Sequence, residues 1–539
     1  MKQTWSLINN MMDRKKKDPI EDVLKKNFQT NDLLTLSNQF NKKFIDQIVN
    51  IKLNNQGPEM SVSMNDFVPH SCYSTMYLRK AKMADINFIL KNMKKTGKGI
   101  DGIRSGDIIN NKTIFTPIIT HLVNLMIDQS HIPDGLKISC VSPLFKNKGK
   151  VDDMSNYRPV GSMPLIEKVL EKHINIQMKK YLAENEILPD FQHGFQSGKS
   201  TTTLLQDFAD LVNTALDERK CVVILLLDLS FAFDALEHSL LLEKFKQIGI
   251  SHPILTNFFL NRKQLTRVGD VKSDLIDVNQ GLCQGGINSP TWYNVYTYDI
   301  QHVKRTAVLK MFADDSCIVS IHKDVRTAVA NAQADFIELQ KYFYKNSIFL
   351  NEKKTEAMVL GFARKRLDMS AYRIVCHSRA CLHNRTYETT ICSCHRVDYT
   401  HNARYLGVIL DDEFTMKQHV DNLAKKLRVV HYKMMKINAE RMPLDGLIDL
   451  GLSDGLTDRG LSDGLTDLGL SDCLTELGFS DGLIELGLSD DLTDLGLSDG
   501  LTDLGLSDGL TELGLELFPP HLFRLSESLS ELECITQVI

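Results

Sequence analysis

Long apolar runs are missing from this chain of 539 residues. No window approaches 18 consecutive apolar residues, so no membrane-crossing helix is expected. The opening MKQTWSLINNMMDRKKK has no apolar centre of the secretory-signal type. Paired cysteines are also missing. The 11 cysteines are an odd number scattered from Cys72 to Cys534, which is no disulfide framework. An intracellular, reducing setting in nucleus or cytoplasm is the expectation. Positive charge is nearly absent from Leu447 onward, where 20 acids face 2 arginines. The formal net charge of −5 therefore hides a body, residues 1–446, with 61 basic and 48 acidic side chains. A body of net charge +13 suits a polyanionic partner.

What is present is informative at two apolar runs that stop at acids. VVILLLDLSFAFD holds Asp228, and VLKMFADDSCIVS holds Asp314 and Asp315. The second reads as strand, tight acidic turn and return strand, with Ser316 to Ile321 as the return. The first reads as a central strand ending in a carboxylate. Side by side, they would hold Asp228 and Asp314 close enough to share divalent metals about 4 Å apart. An isolated acidic hairpin tip is more often a solvated turn, so spacing and order must decide. Between the two runs lies NQGLCQGGINSPTWYNVYTYDI. Its Gly281, Gly285 and Gly286 permit close backbone approach. Ser289 and Pro290 read as cap and first residue of a helix.

The blocks NYRPV, HGFQSGKSTT, DLSFAFD, GLCQGGINSP, FADD, LNEKKTEAM and YLGV follow one another in the order found in reverse transcriptases. The chain is thereby identified as resembling the polymerases of non-LTR (LINE-type) retrotransposons of the jockey-like kind, over about residues 75–435. FNKKF at Phe40 resembles a linker motif of such elements. The resemblance implies an α+β right-hand polymerase with fingers, a ferredoxin-like palm of four antiparallel strands and a partial thumb, followed by a low-complexity tail. It implies the metal ligands Asp228, Asp314 and the carbonyl of Leu229, with Asp315 as the third catalytic acid. It implies nucleotide contacts at Lys146, Arg158, Phe233, Gln284, Gly285 and Lys354. Phe233 matches the steric gate against a ribose 2′-hydroxyl, and Lys354 the donor to the departing pyrophosphate. Two Mg²⁺ ions, with Mn²⁺ as substitute, an RNA template, a DNA primer and dNTPs are the implied cofactors and partners. The family's usual Arg and Lys are replaced by Gln196 and Phe231, which weakens nucleic-acid contacts without touching the metal ligands.

The expected organisation is a helical linker-like segment 1–75, fingers and the start of the palm 76–220, and a reverse transcriptase domain 125–410 with its palm core at 221–361. Segment 1–60 is too poor in apolar residues for a core of its own. CVSPLFKNKGKVDDMSNYRPV reads as a hairpin, Glu167 to Ile187 as an amphipathic helix and Gln418 to Lys436 as a basic helix. HGFQSGKST lacks phosphate-loop spacing, since three residues, not four, separate Gly194 from Gly198. Residues 371–401 form a hairpin insertion rich in Cys and His. Cys376, His377, Cys381, His383, Cys392, Cys394 and His395 give no two clean CxxC pairs, so a surface hairpin is favoured over a zinc site. A thumb over 405–446 is expected to be cut short near Met442. From 447 to 515 a nine-residue acidic repeat, GLSDGLTDL, opposes helix through its glycines. It also lacks the paired glycines of calcium-binding nonapeptides, and is expected to be disordered, with a tail at 516–539. Elements of the resembled kind carry an endonuclease of roughly 200 residues, a usual domain length, for which the segment before the first block has no candidate. The expected function is RNA-directed DNA synthesis by a truncated element. The alternative is an inactive nucleic-acid-binding remnant.

Overall fold

The computed structural model describes residues 20–57, 74–93, 99–361, 372–389 and 392–439. The acidic repeat, the tail and Met442 lie outside the described residues. Asp18–Thr400 form one compact unit, and the described residues from His401 onward belong to a second.

Two helices open the first unit, Ile20–Phe28 and Leu33–Asn54. Asp32 caps the second by accepting from the Thr35 N–H at 3.0 Å. β1 (Ile138–Phe145) and β2 (Tyr157–Ser162) form the expected hairpin, with Phe145 opposite Tyr157. The helix Leu165–Glu184 follows, then Thr201–Asp217, where Ser200 and Thr203 make a reciprocal cap. β3 (Cys221–Leu227) comes next, all seven residues buried, and then the two-residue β4 (Leu229–Ser230). Burial on both faces explains why β3 reads as a continuous apolar run and not as an alternation.

β5 (Lys263–Val268), β6 (Val271–Lys272) and β7 (Ile276–Asp277) join the first hairpin in a lateral sheet. β1 pairs with β5 in parallel, a crossover that no local pattern announces. Onto this sheet folds the helix Leu33–Asn54. Leu24, Leu36, Phe40 and Phe44 share a core with Val141, Tyr157 and Val268. Asn41 donates to the carbonyls of Gln264 and Asp274 at 3.3 and 2.9 Å. Among the described residues of segment 1–60, buried apolar side chains pack onto the sheet. Its described helices complete a core supplied by the sheet, and both phenylalanines of FNKKF are buried in it.

β8 (Val308–Phe312) and β9 (Asp315–His322) form the second expected hairpin. Helix Val325–Lys345 follows, capped by Asp324 and burying Ala328, Val329, Ala332, Phe336, Leu339 and Phe343 at helical spacing. β10 (Phe349–Leu350) pairs with β4, and β11 (Glu356–Leu360) with β3. β12 (Val375–Cys376) and β13 (His395–Arg396) are a short ribbon, and β14 (Asp398–Tyr399) adds to the edge of β11 in parallel. The central sheet therefore runs β14-β11-β3-β9-β8. Four of its strands are antiparallel, as expected, and the fifth is a parallel edge of two residues. The second unit contains a hairpin of β15 (Asn402–Tyr405) and β16 (Val408–Asp411), then a helix Lys417–Ala439. The mixed helix and sheet content is that of an α+β domain.

Candidate active site

The turn joining β8 to β9 has two residues, Ala313 and Asp314, because Phe312 pairs with Asp315. Ala313 takes φ +56°, the positive value that tight hairpin turns need at their first central position. An alanine there is held by its surroundings. Its N–H donates to Gln192 Oε1 at 2.8 Å, and the Gln192 amide returns a bond to its carbonyl at 3.3 Å. The His193 N–H donates to the Met311 carbonyl, and the Met311 N–H to that of Phe191. The loop before HGF therefore grips the acidic tip. Gly194 is forced by this grip, since a Cβ would strike the Ala313 backbone. The helix beginning at Thr201 follows a loop and not a strand.

β3 lies beside this hairpin with Leu227 opposite Ser316, which brings Asp228 next to the tip. The Asp228 carbonyl accepts from the Asn351 N–H at 2.8 Å. Leu229 pairs with Leu350 in the following ribbon. The LNEKK segment thus returns along Asp228, and Lys354 Nζ stands 3.6 Å from its carboxylate. Burial raises the Asp314 carboxyl above its usual value, with Asp228 adding to the rise and Arg158 opposing it. The Asp315 carboxyl is pushed up to about 6, first by burial and then by Asp314 and Asp228. Among the described residues no Lys or Arg comes within 4 Å of Asp314 or Asp315. Burial and mutual repulsion make the carboxylates at this tip suitable oxygen donors for a hard divalent cation. The three acids are not one tight triad. Among the described residues, the set of ligand atoms that closes within 4.8 Å is a Cys/His group elsewhere.

Two of the three expected cations stand on the first hairpin. Lys146 follows β1, its N–H bonded to the Asn156 carbonyl and its ammonium donating to the Ser155 carbonyl at 2.8 Å. Its pKa is lowered by burial and then by Arg158 and Lys354, so the three expected cations share one field. Arg158 sits on β2 opposite Leu144. Phe233 stacks on Tyr293 with ring centres 4.6 Å apart and meets Phe195 edge-on at 6.2 Å. It is partly buried against the main core, so a packing role accompanies any other. Gln284 donates from its amide to Asp234 at 2.7 Å, and its carbonyl accepts from the Gly161 N–H at 2.7 Å. Gly285 has φ +115°, and a Cβ there would hit the Gly161 carbonyl. Ser289 is not the helix cap: Asn288 holds that position, and Pro290 falls one residue later than expected. The Ser289 hydroxyl instead donates to the Cys283 carbonyl at 2.8 Å and closes the glycine loop.

Two residues here escaped the sequence reading. Asp234 anchors Gln284, and its carboxyl is pushed up to about 6 by burial. Gln192 supports the acidic tip. The second Asp in DLSFAFD was a visible signal for the former, whereas nothing local marks the latter.

The central sheet is antiparallel but for its two-residue edge, and acids stand at the ends of two adjacent central strands. Residues 145–410 match the family described as "Reverse transcriptase (RNA-dependent DNA polymerase)". The matched stretch is a reverse transcriptase domain, and the chain is similar to polymerases of mobile elements of the jockey kind. It is 23% identical to the RNA-directed DNA polymerase from mobile element jockey of Drosophila melanogaster, over 63% of this chain and 36% of that protein. It is 25% identical to the probable RNA-directed DNA polymerase from transposon X-element of the same species, over 58% of this chain and 33% of that one. A probable RNA-directed DNA polymerase from transposon BS, also of Drosophila melanogaster, is 23% identical over 60% and 35%. The chain thus spans about a third of the length of the curated relatives it matches.

Proposed function

We propose that this protein is an RNA-directed DNA polymerase, adding dNTPs to a DNA primer 3′-hydroxyl on an RNA template. The observation that carries the reading is Asp228 at the end of buried β3, beside Asp314 on the hairpin tip, in a domain of this family. In this reading the central sheet is the palm (core 221–361), the lateral sheet and its hairpin belong to the fingers (76–220), and 405–446 is a partial thumb. Asp228, Asp314 and the Leu229 carbonyl hold divalent cations, Mg²⁺ by preference and Mn²⁺ as substitute. Bound there, two such ions neutralise the triphosphate and acidify the attacking hydroxyl.

The chain's own groups do the rest. Asp315 keeps the field negative at the tip. Arg158 offers a planar fork to phosphate oxygens, and Lys146 a point charge. Phe233, fixed by its stack on Tyr293, fills the space a 2′-hydroxyl would need. Gln284 and Gly285 line the nucleotide and template pocket, with Gln284 oriented by Asp234. Lys354 is 68% exposed and can leave Asp228 to protonate the departing pyrophosphate.

Primer extension by the full chain on an RNA template tests this. Asp228→Asn and Asp314→Asn should each abolish Mg²⁺-dependent incorporation, an effect of several kcal/mol in the barrier, about a thousandfold or more, with the thermal unfolding midpoint preserved. Synthesis retained in either variant would remove that residue from the metal site. A wild-type chain that binds primer–template without extending it would favour the remnant.

A further inference from the structure

The Cys/His insertion gathers four of its seven candidate side chains at one point. His377, Cys381, Cys392 and Cys394 place their ligand atoms within 4.8 Å of one another. His377 Nδ1 lies 3.5 Å from Cys381 Sγ and 3.3 Å from Cys392 Sγ. Around a tetrahedral zinc, with bonds of about 2.3 Å to sulfur and 2.0 Å to nitrogen, neighbouring ligand atoms stand about 3.5–3.8 Å apart. The group is already near that spacing. We propose that His377, Cys381, Cys392 and Cys394 form a structural zinc site in the reverse transcriptase domain.

The backbone is arranged for it. β12 ends at Cys376, and Ser378 caps the short helix that carries Cys381, accepting from the Cys381 N–H at 3.3 Å. Cys392 and Cys394 approach on the chain leading into β13. The Ser378 N–H points at Cys394 Sγ from 3.4 Å, the kind of N–H···S contact that supports a thiolate ligand. The His377 carbonyl accepts from Gln340 and Tyr344, both at 3.3 Å, and its ring packs on Tyr387. The His377 backbone is therefore held from the helix Val325–Lys345.

The remaining candidates do not join the group. Cys376 faces the core, where its sulfur accepts from Gln340 at 3.1 Å. His395 pairs with Cys376 across the ribbon, and His383 is exposed. The ligand spacing, with three, ten and one residues between successive ligands, explains why no CxxC pattern marked the site. Among its described residues the insertion buries Ile374, Cys376, Leu382 and Val397 beside the ligands His377 and Cys381, while Cys392 and Cys394 stay partly exposed. A metal closing it would provide folding energy that an apolar core does not. It would also fix β14, which starts two residues after β13 and forms the edge of the central sheet. The site is closed, with four protein ligands and no open position, so its role is structural and not catalytic.

Zinc content of the full chain, purified under reducing conditions and dialysed, decides the matter. One zinc per chain is expected. Cys392→Ser with Cys394→Ser should bring it to background, while His383→Ala should leave it unchanged. Because the double variant could lose fold with metal, the wild-type protein is also reloaded with Co²⁺. Tetrahedral thiolate absorption in the visible range, with three sulfurs and one nitrogen by X-ray absorption, is the expected signature. A reduced wild-type chain that takes up neither metal would overturn the proposal. So would a Cys392 or Cys394 disulfide in the peptide map of protein isolated without reductant, or undiminished zinc in the double variant.

Discussion

Asp234 shows how one residue links the polar site to stability. Its carboxyl accepts from Gln284, yet burial pushes it up to about 6 from an ordinary 3.8. In the unfolded chain the same group titrates near the ordinary value. Between about pH 4 and 6 the folded state therefore holds a proton that the unfolded state has lost. Stability should fall as pH rises through that window and level off above it. Asp234→Asn keeps an acceptor for Gln284 and removes the charge. It should flatten the slope and stabilise the metal-free protein at neutral pH by up to about 2 kcal/mol. Asp315, also pushed up to about 6, keeps part of the slope in the variant. Urea unfolding on either side of the window, without divalent metal, is the check, and an unchanged slope would show that Asp234 does not titrate there. At this scale the sequence was readable where an acid ends an apolar strand, as at Asp228 and Asp314. It was not readable where a partner lies far along the chain. Asp234 meets Gln284 fifty residues on, and Gln192 meets Ala313 after more than a hundred. The Cys/His ligands converge through the β12–β13 pairing, so their spacing in the chain understated them.

Elements are tied together by a few buried polar contacts. Lys244, on the helix His238–Gln247, and Asp299 are both fully buried and 2.8 Å apart. The Tyr342 hydroxyl donates to the same carboxylate from the helix Val325–Lys345, and the Lys244 ammonium also reaches the Tyr296 carbonyl. The helices His238–Gln247 and Val325–Lys345 are thereby tied together through the turn Tyr298–His302. Lys244→Ala leaves a buried, uncompensated carboxylate, which typically costs about 3–5 kcal/mol. The expected outcome is a matching loss in urea unfolding. Much of it should return in Lys244→Met with Asp299→Leu, where no charge remains to be buried. A single variant that unfolds like wild type would show that the pair is not holding the helices. Elements were legible from local pattern where burial gives a strong period, as in β3, β8, β9 and the helix Val325–Lys345. The parallel pairing of β1 with β5 and of β14 with β11 joins distant segments, so no window of sequence could show it. The N-terminal helices looked too polar because their apolar residues complete the sheet's core.

At the scale of the whole chain, charge is divided between two regions. Residues 1–446 carry 61 basic and 48 acidic side chains, and the remainder 2 arginines against 20 acids. The described part includes Lys146, Arg158 and Lys354 around the acidic tip, where a nucleic acid and a triphosphate would be received. In the proposed polymerase, a segment of net charge −18 attached to such a body would act as a competing polyanion. Its nine-residue period, with glycine in every copy, offers no continuous apolar face to add to a basic grip on duplex phosphates. Truncation after Leu450 should therefore leave polymerase activity equal or slightly higher. Primer–template affinity should rise most at low salt, where the tail's competition is least screened. The comparison is affinity of residues 1–450 and of the full chain across a salt series. A large loss of affinity on truncation, at every salt concentration, would mean that the repeat serves as part of the grip and that the charge argument has the wrong sign.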